Sequence, residues 1–374
     1  MDTTRIACLF STSGHSGVDR LAQHLLPALA HRGYRVDLLK VRRHGPDLAA
    51  AAADLAHLDI IDLGNRHTYG CVPAIARYLR RKRPQVMLSD KDRVNRIALL
   101  ARAVAGTPTR LYLRSGTTLS VDLASRSALQ RRIQRWSVAR LYRHAAGVLV
   151  PSQGAAADLT TFAGLDPALV QVVPTPVVAS SVLSAPPKAP AHPWFHDPAA
   201  PLILGVGELS PRKDFATLLR GFALLRTRRR CRLMLLGDGG EREALLAQAA
   251  ALGISDDLAL PGFVPRPYAE IAHADLFALT SRWEGMPLVL VEALALGTPV
   301  VATDCPSGPR ELLADGRHGR LVPLGDATAL AAAMAATLEA PPSADALRAV
   351  ARPYTIEAAT TAYLAAMGLP SSPR

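Results

Sequence analysis

Two stretches of strand–helix alternation, separated by one proline-rich break, constrain this chain more than any other feature. The runs "RIACLF" (5–10), "RVDLLK" (35–40), "VMLS" (86–89), "RLYLR" (110–114) and "GVLVPS" (147–152) are short, apolar and bounded by turn residues. Between them lie "VDRLAQHLLPALAHRG", "CVPAIARYLRRK" and "NRIALLARAVAG", with apolar residues at helical spacing. Such alternation predicts a parallel sheet covered by helices. The segment 174–201 breaks the pattern with many prolines and no periodic apolar face, which predicts a linker. Alternation then restarts with the strands "LILGVG", "RLMLLG", "LALPGF", "LFALTS" and "PVVAT" and helical segments among and after them. The expected class is therefore α/β, with two Rossmann-like domains. Ligands of such sheets sit outside the carboxyl ends of the strands.

A chain of 374 residues, 49% hydrophobic, can bury a sizeable core without a disulfide or metal staple. Its four cysteines, Cys8, Cys71, Cys231 and Cys305, are far apart and form no C-x-x-C pair, so they read as buried thiols. No stretch is apolar and long enough to span a bilayer, and the N-terminus suits a first strand better than a signal peptide. The expected location is cytoplasmic, with peripheral contact to the inner face of the cytoplasmic membrane as an extension. The net charge of +12 is uneven: residues 1–180 hold 25 Lys or Arg against 12 acidic residues, all Asp, and the first Glu is Glu208. A basic first half calls for a polyanion, an anionic membrane surface or an acidic substrate. Nucleic acid is not expected, because there is no RNP-like aromatic strand and no helix-turn-helix cue.

The most informative stretch is "LTSRWEGMPLVLVEALALGTPVVAT" (279–303). Glu284 ends a strand-to-helix loop, Gly285 permits close backbone approach, and Pro287 suits a first helical turn. With Met286 and Leu288 they form a helix start whose N–H groups can receive phosphate. Glu292, eight positions after Glu284, sits in an apolar run where a charge should be paired or functional. Upstream, "GVGELSPRKDF" (205–215) follows a strand at Gly207 and offers Arg212 and Lys213, cations able to neutralise a diphosphate. "MLLGDGGERE" (234–243) is a strand, a Gly-rich turn and a helix start, without a complete G-x-G-x-x-G.

The stretch "SRWEGMPLVLVEALALGTPVVATDCPSGPRELLADGRHGRLVPLGD" resembles the C-terminal domain of family 4 glycosyltransferases of the GT-B fold, with their E-x7-E motif at Glu284 and Glu292. "LPGFVPRPYAEIAHADLFALTS" and "LILGVGELSPRKDFATLLRGFALLR" are similar to the preceding motifs of that domain. The resemblance implies a domain over 1–178 for the acceptor, a linker over 179–200, a nucleotide-sugar domain over 201–350, and a helix in 351–374 that returns to the first domain. The two domains would face each other across a cleft. It further implies a retaining transferase that moves a hexose or N-acetylhexosamine from a nucleoside-diphosphate sugar, UDP above all, to a lipid-linked or polysaccharide acceptor in cell-surface glycan synthesis. The first glutamate would contact the sugar and the second the ribose, and no metal or other cofactor would be needed. Gly17, Gly207, Gly237, Gly239, Phe263, Val264 and 285–288 would line the donor site.

The sequence departs from the family's pattern in places. Glu208 stands where an Arg is expected, and Arg212 is a candidate replacement. The loop 11–17 carries a single Gly17 after His15, a candidate proton carrier. After "RLYLR" the family's histidine is missing, and Arg114 is a candidate for acceptor or phosphate. Asp90 and Asp92 match the Asp-x-Asp of a different glycosyltransferase fold, but the interleaved Lys91 and Arg93 weaken a cation site, and they read as a loop. In "RSALQRRIQRWSVARLYRHAAG" (126–147), Arg131, Arg132, Arg135 and Trp136 suit either docking on an anionic membrane or a solvated helix face. A different GT-B enzyme, such as a nucleotide-sugar epimerase, and a non-catalytic basic binding protein are the alternatives. The epimerase would need acid and base groups that the sequence does not display.

Overall fold

The computed structural model describes residues 4–10, 17–40, 48–64, 68–124, 126–185, 187–197 and 199–372. The chain forms two compact units, one of Met1–Val177 with Tyr354–Arg374 and one of Val178–Pro353.

The first unit is built on β1 (Arg5–Phe10), β2 (Arg35–Lys40), β3 (Leu58–Asp62), β4 (Val86–Asp90), β5 (Arg110–Arg114), β6 (Gly147–Val150) and β7 (Val170–Val172). These make one sheet in the order β3-β2-β1-β4-β5-β6-β7, and every pairing is parallel, with Ile6 opposite both Val36 and Val86. Parallel strands covered on both faces read as continuous apolar runs, which is why "RIACLF" and "VMLS" stand out in the sequence. Side chains alternate between the faces. Ala7 and Leu9 meet Ile75, Leu79, Ile97 and Val138 on one side. Ile6, Cys8 and Phe10 meet Leu21, Leu25 and Tyr363 on the other. Tyr363 belongs to the helix Ile356–Ala366, which Thr355 caps by accepting from Ala358 N.

The second unit holds β8 (Leu202–Val206), β9 (Arg232–Leu236), β10 (Leu258–Gly262), β11 (Leu276–Leu279), β12 (Val300–Thr303) and β13 (Arg320–Val322), all parallel, in the order β10-β9-β8-β11-β12-β13. Its core centres on Phe215, Leu218, Phe222, Leu235, Leu330 and Met334. The segment expected as a separate linker, 179–200, lies within this unit. Two short 3-10 turns run through it, and Arg232 stacks over the Trp194 ring at 5.2 Å while pairing with Asp197 at 2.9 Å. Proline removed the periodic pattern there, but an aromatic ring and an ion pair still hold the segment down.

The strands unread in the sequence are β3, β7 and β13. All three are sheet edges, and two of them are three residues long. An edge strand is half solvated, so its apolar run is interrupted ("LDIID", "VQV", "RLV"). All four cysteines are free and buried. No described helix is long and apolar enough to cross a membrane.

Candidate active site

The strand order of the second sheet reverses between β8 and β11, and the loops that leave their carboxyl ends carry the expected site residues. The loop after β8 runs to the helix Phe215–Arg226. Asp214 caps that helix in a left-handed conformation, its Oδ1 accepting from Thr217 N at 3.3 Å. This cap fixes the positions of its neighbours Lys213 and Arg212. The loop after β11 runs to the helix Leu288–Leu296 and carries Glu284.

The two loops are tied together by backbone and hydroxyl bonds. Arg282 N donates to Arg212 O at 2.8 Å, and Thr280 Oγ1 donates to Lys213 O at 2.9 Å. Their charged groups then meet. Lys213 Nζ donates to Glu284 Oε1 at 2.6 Å, and Arg212 Nη1 donates to Oε2 at 2.9 Å. Ser281 Oγ adds a third bond, to Oε1 at 2.8 Å. Glu284 and Lys213 are buried, whereas the Arg212 side chain is 34% exposed. Burial works against ionisation of Glu284, but the Lys213 ammonium and the Arg212 guanidinium outweigh it and hold the carboxyl below its ordinary value. The site thus presents an ionised carboxylate with its acceptor oxygens fixed, beside two cations of which one faces solvent.

Ser281, Arg282 and Asp214 were not singled out from the sequence. Ser281 and Asp214 are commonplace loop residues, and only the crossing of the two loops gives them a role. Arg282 Nε donates to Asp214 Oδ2 at 3.2 Å, a further tie between the loops. Cys305 lies near enough for Glu284 to act on it: burial first, and then that carboxylate, push its thiol up to about 12.

Of the other expected donor residues, Gly285, Met286 and Pro287 are buried in the turn that leads into the helix, with Leu288 partly exposed at its start. Ser307 Oγ bonds to Gly285 O at 3.0 Å, and Gly308, at φ +90°, has no room for a Cβ because Pro287 Cδ would lie at 2.6 Å. Glu292 is fully buried about one turn into the same helix, eight residues after Glu284. Gly237 and Gly239 serve packing. A Cβ on Gly237 would lie 1.8 Å from Gly207 O, and one on Gly239 2.4 Å from Leu209 O. Their absence lets the turn after β9 close on the loop after β8, with Leu209 N bonded to Asp238 O at 2.9 Å and Gly237 N to Gly262 O at 2.9 Å. Phe263, which follows β10, is 60% exposed and so is not a core side chain; Val264 beside it is half-buried.

In the first unit, Gly17 opens the helix Gly17–His31 and is exposed, while His15 lies outside the described residues. Arg114 does not present its charge to a ligand. Its Nη1 donates to Asp90 Oδ2 at 2.6 Å, Nε to the Tyr363 hydroxyl at 3.0 Å and Nη2 to Thr175 Oγ1 at 3.2 Å, and its side chain is 6% exposed. These bonds tie β4 and β5 to the C-terminal helix, so the residue expected at an acceptor or phosphate has its donors engaged within the first unit. Asp92 accepts from Arg96, Gln134 and, at 3.0 Å, Tyr142. Both acids are thus bound to cations, and no cluster of three metal-ligating side chains occurs among the described residues. Arg131, Arg132, Arg135 and Trp136 are all exposed on the helix Ala128–Leu141.

Comparison with known proteins matches two family descriptions: "Glycosyl transferases group 1" over residues 192–353 and "Glycosyl transferase 4-like domain" over residues 16–176. The chain is 33% identical to the N-acetylgalactosamine-N,N'-diacetylbacillosaminyl-diphospho-undecaprenol 4-alpha-N-acetylgalactosaminyltransferase of Campylobacter jejuni, over 62% of this chain and 60% of that one. It is 31% identical to the lipopolysaccharide 1,6-galactosyltransferase of Salmonella typhimurium over 41% of each. These matches span less than two thirds of the relatives' own lengths. The crystal structure of HepE from Anabaena in complex with UDP superposes with a TM-score of 0.80 over 98% of this chain and 100% of that one, at 19% identity. The likeness in fold agrees with the two parallel sheets described above.

Proposed function

We propose that this chain, which belongs to the family 4 glycosyltransferases of the GT-B fold, is a retaining enzyme that moves a hexose or N-acetylhexosamine from a UDP-sugar to a lipid-linked or polysaccharide acceptor. The observation that carries this reading is the Lys213–Glu284–Arg212 cluster at the strand-order reversal of the second sheet. A nucleoside-diphosphate sugar brings two kinds of group to be recognised, a diphosphate and a set of hydroxyls. Cations held at a helix start suit the first, and an ionised carboxylate with fixed oxygens suits the second.

In the proposed reaction the bond from the anomeric carbon to the diphosphate oxygen breaks, a bond to an acceptor hydroxyl oxygen forms with the configuration kept, and the hydroxyl's proton passes to the departing diphosphate. Negative charge grows on the departing diphosphate. Arg212, a third exposed, turns from Glu284 toward that charge, and Lys213 supports it from the buried side. No metal is required for this compensation. Glu284, kept ionised, accepts hydroxyls of the sugar, and Glu292 those of the ribose. Relatives that act on undecaprenol-linked and lipopolysaccharide substrates support the acceptor class, and the UDP-bound neighbour supports the nucleotide.

The test is a thermal melt with UDP, GDP and no nucleotide, followed by mass spectrometry of sugar released from a panel of UDP- and GDP-sugars. A ligand that binds only the folded state raises the melting temperature, by about 2.7 kcal/mol of stability at a hundredfold excess over Kd. UDP should stabilise and a UDP-sugar should be turned over. A protein indifferent to every nucleotide would overturn the reading.

A further inference from the structure

The helices on the two faces of the first sheet differ in charge. On one face lie Val72–Lys82, Asp92–Ala105 and Ala128–Leu141, which supply Ile75, Leu79, Ile97 and Val138 to the core beneath them. Together these three helices carry eleven Lys or Arg and one carboxylate, Asp92. That carboxylate is spent on Arg96, Gln134 and Tyr142. On the opposite face, Gly17–His31 and Ile356–Ala366 set Arg20 against Asp19 and Glu357. Leu119–Asp122 and Gln153–Ala163, which add Leu119 and Leu159 to the first of these cores, bring only Asp122 and Asp158, so that face keeps the basic excess.

The outermost of the three, Ala128–Leu141, buries only Ser137 and Val138. Leu129 is 68% exposed, Ile133 55% and Trp136 64%. Spaced at i, i+4 and i+7, they form one stripe along the helix. A stripe of this kind normally faces a core, and here it faces away from one. Arg131, Arg132 and Arg135 are all exposed; Arg132 borders the stripe and the other two lie further round the same side of the helix.

We propose that this helix, backed by the basic layer, docks on the surface of a bilayer that contains anionic phospholipids. Leu129, Ile133 and Trp136 enter the headgroup region, where an amphipathic indole is at home, and the arginines reach the lipid phosphates. The apolar stripe decides in favour of lipid over a soluble acidic polymer. A polymer would reward the arginines but would gain nothing from an outward Leu–Ile–Trp row.

The test is co-sedimentation of the full chain with vesicles of phosphatidylcholine alone, and of phosphatidylcholine and phosphatidylglycerol in equal parts, at low and high salt. Wild type should bind the mixed vesicles only, less as salt rises, with a blue shift of tryptophan emission that Trp136→Phe removes. The triple change Arg131→Glu, Arg132→Glu, Arg135→Glu should weaken binding at least about a hundredfold. The triple change Leu129→Ser, Ile133→Ser, Trp136→Ser should weaken it at least about tenfold by loss of apolar burial. All six side chains are exposed, so melts without ligand, and the UDP-induced rise, should match wild type in both variants. Docking and donor binding then fail independently. Wild type ignoring mixed vesicles, or the arginine variant binding as well as wild type, overturns the proposal. So does undiminished binding by the serine variant with displacement by dextran sulfate, which would assign the face to an acidic polymer.

Discussion

Each unit of this protein buries a carboxylate against cations near the carboxyl ends of neighbouring strands, and the two clusters differ in how far they are closed. In the first, Asp90 at the end of β4 meets Arg114 at the end of β5. In the second, Glu284 after β11 meets Lys213 and Arg212 after β8. The residue types are nearly the same. What differs is how the donors are spent. Arg114 commits all three of its nitrogens, to Asp90, Tyr363 and Thr175, and is sealed from solvent. Arg212 gives Glu284 one nitrogen and stays a third exposed. A closed cluster is a fastening, whereas an open one can exchange a partner for a ligand.

That contrast makes its largest prediction at Arg114. The Asp90 and Tyr363 interactions hold its guanidinium above its ordinary pKa against the pull of burial, so it is charged wherever the protein is folded. Arg114→Ala would leave Asp90 buried without its cation. Breaking such a pair costs about 3–5 kcal/mol. Chemical denaturation should show that loss, while UDP affinity of the folded fraction stays at the wild-type value. Unchanged stability with lost UDP binding would break the comparison by making the first cluster a ligand site.

The next effect is expected at Glu284. Glu284→Gln keeps the shape but removes a charged acceptor, for which about 1.5–3 kcal/mol is typical. Turnover should fall roughly ten- to a hundredfold, with a smaller stability change than at Arg114. Lys213→Ala should act in the same direction on turnover. Wild-type turnover in both variants would reduce the second cluster to a fastening like the first.

The difference in legibility between the two clusters has a physical cause. Glu284, Lys213 and Arg212 stand beside strand-to-helix junctions, where apolar periodicity, a Gly–Met–Pro turn and a pair of adjacent cations are all visible in the chain. Arg114 looked equally available, because the group that seals it, Tyr363, is 249 residues away on a helix whose landing place no local pattern records. The glycines show the same limit. "GDGG" announces a tight turn, but only the structure shows the neighbouring Gly207 and Leu209 carbonyls that forbid a side chain there.

A third, subtler effect concerns pH. The folded-state pKa of Glu284 lies below its ordinary value of about 4.3. A depressed carboxyl contributes stability that is fully present above the unfolded value and is lost as pH falls through the folded one. The stability difference between wild type and Glu284→Gln should therefore be level from neutral pH down to about 4.3 and shrink below it. Denaturation at a series of acid pH values measures this directly. A difference that grows toward low pH would mean that Glu284 is protonated in the folded state, and its role as an ionised acceptor would fall.

The smallest effect expected is that of chelation, and it sharpens the comparison from the side of the first cluster. Asp90 and Asp92 have the spacing of a cation-binding pair, and a divalent ion there would make the first unit a centre of chemistry. Both carboxylates already face cations or donors: Asp90 holds Arg114 and the Lys91 N–H at 2.7 Å, and Asp92 holds Arg96, Gln134 and Tyr142. A hard divalent ion would have to displace a guanidinium from each and accept two oxygen ligands where it ordinarily takes six or more. In the reaction proposed above, the charge of a departing diphosphate is met by Arg212 and Lys213 of the second cluster instead. EDTA should accordingly leave both turnover and the UDP-induced melting shift at their starting values. Activity that disappears with EDTA and returns with manganese, and that Asp92→Asn also abolishes, would move the chemistry to the first unit and reverse the assignment of the two clusters.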